Sequence, residues 1–212
     1  MFIPEITPVT FVLGGLGSGK TEFAINLALV SSEKCGPHSV KLLDLDIVNP
    51  FFRIRKLKDE LESRGIDVVA PPKRVADGDL PALSPEKWNS LENVENRVIC
   101  DVGGGEIGLR PLQRIKEWAQ IRESRVYFIV NPFRPGFNTV DQIGRRFQEY
   151  EEVSGFSVTH IVANPNLVEE TNLESFSRGM QIVREFSARS KLPLAFGLAV
   201  PEVSKKFPAS LA

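Results

Sequence analysis

Short apolar runs alternate with segments of helical apolar spacing along the whole chain. The apolar runs predict strands over residues 8–13, 40–45, 66–69, 97–101, 125–130, 157–163 and 193–198. The segments between them predict helices over residues 20–31, 51–64, 84–93, 106–121, 138–153 and 173–189. Strands that alternate with helices are typical of β-α-β units. We therefore expect an α/β fold in which a mainly parallel sheet carries helices on both faces.

The alternation continues over 212 residues without a repeat or a low-complexity tract. This predicts a single domain that spans residues 1–212. Residues 70–85 interrupt it with a stretch rich in proline, aspartate and glycine, which we interpret as a surface connector. The alternative is a mobile lid or partner-binding segment, because long loops in compact domains are often functional.

Residues 14–21, Gly-Gly-Leu-Gly-Ser-Gly-Lys-Thr, form a complete G-x-x-x-x-G-K-[ST] motif between the first predicted strand and the first predicted helix. In such a loop the glycines let backbone N–H groups surround phosphate oxygens, and the helix N-terminus adds partial positive charge. Lys20 can reach the β- and γ-phosphates, and the Thr21 hydroxyl can ligate Mg²⁺. The motif predicts nucleotide binding; the alternative is a glycine-rich turn that only joins strand to helix.

Asp44 and Asp46 end the second predicted strand, and two residues apart they point to the same side of an extended chain. At the carboxyl edge of the sheet they would face the phosphates. One carboxylate can support the hydration shell of Mg²⁺, and the other can orient or deprotonate a water molecule. The alternative is a pair of solvated acids at the end of a strand.

Asp101 ends another apolar strand and is followed by Gly103, Gly104 and Gly105. An acid at this position beside a phosphate loop is the Walker-B arrangement, in which aspartate holds Mg²⁺ directly or through water. In the D-x-x-G spacing, Gly104 can bring a backbone N–H close to a γ-phosphate. We expect a metal role for Asp101; the alternative is a glycine-rich turn between strand and helix.

Two later strand ends carry weaker signals. Asn164 follows the sixth predicted strand, where purine bases are often read, and Pro201 follows the seventh, where it can pack on the base or ribose. Each is also a common turn residue. The guanine-specific motif N-K-x-D is absent, since Pro165 follows Asn164. Its absence favours adenine over guanine.

The composition narrows the class of protein. A net charge of −1 with 25% charged residues gives no general attraction for nucleic acid or anionic membranes. No apolar run approaches the ~20 residues of a membrane span, and the N-terminus carries no recognisable secretion signal. Cys35 and Cys100 are far apart, which disfavours a disulfide scaffold, a zinc site and a bridged iron–sulfur cluster. A cytoplasmic protein fits best, with His38 and His160 in surface or packing roles.

Five features, taken in order, resemble the MinD/ParA/Mrp-like family of P-loop ATPases: the loop at 14–21, the Asp44/Asp46 pair, Asp101 with its glycines, Asn164, and Val200-Pro201. This family includes the nucleotide-binding domains of cobyrinic acid synthases. The resemblance covers nearly the whole chain. It implies a three-layer P-loop NTPase fold, with ATP or ADP and Mg²⁺ as cofactors.

The resemblance also implies roles for individual residues. Lys20 and Asp46 would be catalytic, with Asp46 positioning the hydrolytic water. The metal would be held by Thr21, Asp44 and Asp101. The nucleotide-binding residues that it implies are Gly14, Gly15, Leu16, Gly17, Ser18, Gly19, Lys20, Thr21, Glu22, Asn164 and Pro201, with Asn164 as the adenine reader.

The chain departs from the family pattern at one position. Many members begin the loop K-G-G-x-G-K, with a signature lysine that reaches across an ATP-sandwich dimer, and the corresponding residue here is Gly15. We therefore expect slow hydrolysis by the isolated protein and no strong dimerisation with ATP alone, which leaves the oligomeric state open. Arg53 or Arg55 can supply the missing charge, although surface roles explain both better. Residues 203–208 are short and broken by proline, so no MinD-like membrane anchor is expected.

These observations favour a cytoplasmic Mg-ATP-binding protein with slow ATPase activity, whose nucleotide state switches its affinity for a protein partner. No membrane or nucleic acid partner is expected. The first alternative is an ATP-dependent ligase or amidotransferase of the cobyrinic acid synthase type. A GTPase metal-insertion chaperone and a non-hydrolysing nucleotide-binding module are the others. The missing N-K-x-D motif and the lack of a His/Cys cluster count against the chaperone.

Overall fold

In the computed structural model, seven strands form one parallel sheet. The strands are β1 (Val9–Gly14), β2 (Val40–Leu45), β3 (Ile66–Val69), β4 (Arg97–Val102), β5 (Ser124–Val130), β6 (His160–Ala163) and β7 (Leu194–Gly197). Their order across the sheet is β3-β2-β4-β1-β5-β6-β7. The structure describes residues 7–46, 54, 56–69, 97–105, 107–109, 112 and 123–206.

Helical segments follow most of the strands in the described part of the chain, as the alternating pattern predicts. They are α1 (Lys20–Cys35), α2 (Lys58–Ser63), α3 (Val140–Ser154), α4 (Leu173–Ser190) and the short α5 (Pro201–Ser204), with a 3-10 turn at Val168–Glu170. Residues 105, 107–109 and 112, after β4, are also helical. No helix in the described part of the chain is long and apolar enough to cross a membrane.

Alternate residues of the strands enter two apolar clusters, one on each face of the sheet. Phe11 and Leu13 of β1 pack in the cluster that contains the apolar residues of α3 and α4. Val12, between them, packs with Ala24 of α1 and Leu61 of α2 in the other. Side chains that alternate along a strand reach opposite faces, so helices cover both. The predicted α/β fold, with a parallel sheet between two helical layers, is confirmed.

The predicted element boundaries are right to within a few residues where the structure describes them. Helix α1 continues to Cys35 instead of ending at 31, and its last turn contains the polar but buried Ser32, which apolar spacing does not mark. Strand β6 begins at His160 instead of 157, since Val158 is buried without joining the sheet. Helix α2 is shorter than the predicted 51–64. The predicted helix 84–93, the loop 70–85, residues 51–53 with Arg53, Arg55, and most of 106–121 lie outside the described residues.

The two histidines lie away from the strand ends that carry the motifs. His38 precedes β2, and its Nδ1 lies 2.7 Å from the Asp67 carboxylate in an exposed pair. His160 opens β6, where its ring packs 5.3 Å from that of Tyr127. Both positions fit the surface and packing roles expected from the sequence.

The sheet order places β1 between β4 and β5, which come much later in the chain. Val12 pairs with Asp101 of β4, and Gly14 pairs with Ile129 of β5. On the far side of β4, Asp44 of β2 pairs with Asp101. The carboxyl ends of β1, β2, β4 and β5 therefore meet at one edge, where ligands bind in open α/β sheets.

Candidate functional site

The loop of residues 14–21 joins β1 directly to the first turn of α1. Gly19 adopts a left-handed conformation, with φ of 95°, immediately before the helix. A Cβ there would also collide with the amide nitrogen of Asn164, so position 19 requires glycine. Ser18 Oγ is buried with no hydrogen-bond partner among the described residues. Unpaired donors at a helix N-terminus suit an anion.

Lys20 lies inside the loop and is only 7% exposed. Its Nζ donates a hydrogen bond to the Gly15 carbonyl at 3.0 Å. Burial lowers the pKa of Lys20, and the negative charges of Asp101 and Asp46 oppose that shift. An ammonium group with little water around it interacts strongly with other charges, because the local dielectric is low.

Thr21 and Asp101 form the centre of the predicted metal site. Thr21 Oγ1 donates to Asp101 Oδ2 at 2.6 Å, while Asp101 Oδ1 is buried without a hydrogen-bond partner in the described part of the chain. Burial raises the pKa of Asp101 to about 7, and the Thr21 hydrogen bond opposes this. A hydroxyl beside an unsatisfied carboxylate oxygen is a donor set that Mg²⁺ accepts together with phosphate oxygens. The residues present therefore fit magnesium.

The two aspartates at the end of β2 join this centre. Asp44 lies beside Asp101 on the neighbouring strand, is 4% exposed, and accepts a hydrogen bond from the Asp46 backbone N–H at 3.0 Å. Asp46 is partly exposed and lies against Gly103, where a Cβ would be 2.8 Å from its Oδ1. The charges of Asp44 and Asp46 contribute to the raised pKa of Asp101. The three predicted carboxylates thus come together.

The glycine segment after β4 contacts the phosphate loop through its backbone. A Cβ on Gly104 would lie 3.1 Å from Lys20 Nζ and 3.2 Å from Leu16 Cα. The Gly105 N–H donates to the Tyr150 hydroxyl at 3.0 Å, and that hydroxyl donates to the Gly14 carbonyl at 3.1 Å. Tyr150 therefore ties this segment to the first residue of the loop.

Asn164 and Pro201 occupy different surroundings. Asn164 follows β6, is 8% exposed, and donates from Nδ2 to the Ser18 carbonyl at 2.7 Å. Pro201 is exposed and is the first residue of α5, after the edge strand β7. Their contacts with a purine base stay predictions. Of the other predicted nucleotide-binding residues, Glu22 is exposed on α1 and Leu16 is 70% exposed at the loop.

The turn that follows β5, residues 131–137, also meets the loop, and sequence reasoning missed it. Arg134 Nε donates to the Gly17 carbonyl at 3.0 Å. The ring of Phe137 fills the space beside Gly15, where a Cβ would lie 2.7 Å from Cε2. Their position in the sequence could have indicated a role, because they follow the carboxyl end of a strand, as the other motifs do.

The glycine at position 15 has a physical explanation in the packing around it. Phe137 is 6% exposed and packs near Phe128, with ring centroids 6.3 Å apart. A side chain at position 15 would have to displace this buried ring. The local packing therefore selects glycine at position 15 independently of any role in dimerisation.

We expect Gly15→Lys to lower the free energy of unfolding by roughly 1–3 kcal/mol, the usual cost of overpacking a core. Urea denaturation measures this. Gly144→Lys on α3 is the matched control, because a Cβ there meets nothing within 4 Å and a helix favours lysine over glycine. In the Phe137→Leu background, the cost of Gly15→Lys should shrink. An undiminished cost would contradict a clash with the ring.

Solved structures share this fold at low sequence identity. Chloroplast FtsY from Physcomitrella patens matches with a TM-score of 0.64 and 15% identity, over 94% of this chain and 61% of FtsY. A nucleotide-binding protein from Archaeoglobus fulgidus, in complex with ADP, matches with a TM-score of 0.50 and 17% identity. The match covers 93% of this chain and 84% of that protein. FlhF complexed with GMPPNP and Mg²⁺ matches with a TM-score of 0.54 and 18% identity. The match covers 94% of this chain and 69% of FlhF.

Identities this low establish the fold alone, which is that of the P-loop NTPases. The chain spans about three fifths of the length of FtsY. One of these neighbours was solved with an adenine nucleotide and another with a guanine analogue, so the fold does not select the base. No protein-family model matches the chain, and no curated sequence is significantly similar to it.

Proposed function

We propose that this chain binds Mg-ATP, hydrolyses it slowly, and uses its nucleotide state to change its affinity for a protein partner. The observation that carries the proposal is the hydrogen bond from Thr21 to Asp101 beside the buried Lys20. A buried ammonium group at a helix N-terminus suits a polyphosphate. The unsatisfied Asp101 oxygen suits the cation that accompanies it.

Each residue then has a distinct task in hydrolysis. Lys20 exchanges its hydrogen bond with the Gly15 carbonyl for contacts with phosphate oxygens. Bound Mg²⁺, held by Thr21 and Asp101, would neutralise charge on the phosphates. Asp46 is partly exposed and lies against Gly103, which suits a carboxylate that orients a water molecule and accepts its proton.

The glycine segment after β4 supports the switch. Gly104 lies against Lys20, and Gly105 is held by the Tyr150 hydroxyl. A phosphate bound by Lys20 would therefore contact this segment, and its loss after hydrolysis would release the contact. The order of such a segment depends on the terminal phosphate in other nucleotide switches. A partner that binds one arrangement better than the other would sense the nucleotide.

The orientation of Asn164 supports adenine. Its Nδ2 donates to the Ser18 carbonyl, and its side-chain oxygen Oδ1 can act only as an acceptor. Adenine carries a donor amino group at position 6, whereas guanine carries an acceptor oxygen there. An acceptor that meets an acceptor in a poorly solvated site leaves both unpaired.

We therefore expect Mg-ATP to bind at least roughly tenfold more tightly than Mg-GTP, because an unpaired buried acceptor costs about 1–3 kcal/mol and 1.4 kcal/mol is tenfold. Calorimetric titration with non-hydrolysable analogues measures both. The inosine nucleotide is the matched control, since it shares the 6-oxygen of guanine but lacks the 2-amino group. It should bind as weakly as GTP. Equal or tighter GTP binding would overturn the adenine assignment and favour a GTPase.

A further inference from the structure

Arg134 brings a positive charge onto the phosphate loop from outside it. Besides the bond from Nε to the Gly17 carbonyl, its guanidinium covers Gly17: a Cβ there would lie 3.3 Å from Nε, 3.4 Å from Cζ and 3.6 Å from Nη2. Gly17 lies in the middle of the loop, between Leu16 and Ser18. The cation is therefore in contact with the backbone that surrounds the phosphates in loops of this kind.

The backbone that carries Arg134 is held in a fixed turn after β5. Asn131, 1% exposed, accepts from the Phe133 N–H and donates to the Asn166 carbonyl at 2.9 Å. The Arg134 N–H donates to the Asn131 carbonyl, and the Phe137 N–H donates to the Arg134 carbonyl. Strand β5 itself pairs with β1. The position of the arginine relative to the loop is thus set by the fold.

The Arg134 guanidinium has N–H donors that can bind a ligand. Arginine carries five N–H donors, and the Gly17 carbonyl takes the one on Nε. In the described part of the chain, Arg134 makes no ion pair. Arg134 is half-buried, whereas the exposed Arg146 and Arg189 pair with Glu149 and Asp141. A cation that touches a phosphate-binding loop and has no carboxylate partner suits an anionic ligand of that loop.

We propose that Arg134 acts from within the same chain as the residue that contacts the terminal phosphate of bound ATP and stabilises the charge that develops there. This inference rests on the proposed function. The turn that carries Arg134 also carries Phe137, whose ring fills the space beside Gly15. One turn therefore excludes the lysine that acts across a dimer and supplies a cation in its place.

The hydrolysis step needs no further reactant. The oxygen of a water molecule bonds to the γ-phosphorus, the bond from that phosphorus to the β-γ bridging oxygen breaks, and ADP and phosphate leave. A proton of the water passes to Asp46 and from there to solvent or to the phosphate. Arg134 forms no covalent bond and acts only through its charge and hydrogen bonds.

The first test compares Arg134→Ala with the parent protein in single-turnover hydrolysis and in calorimetric binding of Mg-ADP. The rate should fall toward the low end of the roughly 10³–10⁵-fold range of arginine fingers. Affinity for ADP, which lacks the terminal phosphate, should change only a few-fold. Arg64→Ala is the matched control, because Arg64 is exposed and follows the last residue of α2, away from the loop of residues 14–21. It should leave both quantities unchanged.

A second measurement distinguishes two roles of Arg134: stabilising charge on the terminal phosphate, and holding the backbone of the loop in place. ADP with aluminium fluoride imitates the transferring phosphoryl group, and Arg134→Ala should bind this pair far more weakly while ADP alone still binds. Added guanidinium ion should restore part of the lost rate. If Arg134 only braces Gly17, ADP affinity falls in parallel with the rate and guanidinium restores nothing. That result would overturn the proposal.

Mixing two variants decides whether the arginine acts within its own chain. Arg134→Ala binds nucleotide without the arginine, and Lys20→Ala keeps the arginine without binding nucleotide. The mixture should hydrolyse no faster than Arg134→Ala alone. Recovery would place the arginine across a dimer and overturn the inference. A parent protein that binds no Mg-ATP would instead overturn the proposed function, and this inference with it.

Discussion

Replacing Lys20 by alanine should reduce the binding of ATP and GTP alike below detection. The Lys20 ammonium is buried inside the loop and makes its one described hydrogen bond to the Gly15 carbonyl, so bound phosphate would be its main anionic contact beside Asp101 and Asp46. Removing one partner of a buried charge pair costs roughly 2–5 kcal/mol, and each 1.4 kcal/mol is tenfold in affinity. Calorimetric titration at rising protein concentration measures the loss.

The matched control for this change is Lys34→Ala, an exposed lysine in the last turn of the same helix. It should bind as the parent does. Thermal unfolding of both variants shows whether the fold survives. A folded Lys20→Ala protein that keeps nucleotide affinity within tenfold of the parent would mean that the loop does not hold the phosphates through this side chain.

Replacing Asp46 by asparagine should leave ATP affinity within a few-fold and slow hydrolysis by roughly 10²–10⁴, the range for losing a general base. The amide has the shape of the carboxylate and can keep the contact with Gly103, but it cannot accept the proton of the water. Single-turnover hydrolysis and calorimetry together measure the two effects.

Two comparisons sharpen the Asp46 result. Asp101→Ala should weaken Mg-dependent binding itself, because it removes the carboxylate that meets Thr21. Asp67→Asn alters a partly buried carboxylate paired with His38, away from the loop, and should change nothing. If Asp46→Asn hydrolyses ATP at the parent rate, another group positions the water.

The sheet was predictable because its central strands are buried on both faces, so that most of their residues are apolar. The pattern failed where a polar residue is buried: the prediction ended at residue 31, before the buried Ser32 and the rest of the last turn of α1. The pattern predicted too long a strand where an apolar residue is buried outside the sheet, as at Val158 before β6. Apolar spacing indicates which residues are buried. At the end of an element, a buried residue need not belong to the strand or helix.

The residues of the loop and the three aspartates were predictable because their chemistry is local in sequence. Lys20 and Thr21 lie within one motif, and each aspartate ends an apolar run. Tyr150 was not predictable, since it is an aromatic residue on a helix like many that only pack in a core. Arg134 was missed because an arginine in a proline-containing turn is usually a surface residue, and only the pairing of β5 with β1 brings it to Gly17.

The hydrogen bonds that complete the phosphate loop also join residues far apart in the chain. Thr21 meets Asp101 at a separation of 80 residues, Gly17 meets Arg134 at 117, Gly14 meets Tyr150 at 136, and Ser18 meets Asn164 at 146. During synthesis the ribosome makes the loop early and its supports late. Contacts between distant residues form slowly, because chain entropy is lost before they contribute. A growing chain therefore carries the motif long before it has the site, and the proposed affinity for nucleotide would arise only once the second half of the sheet has been made.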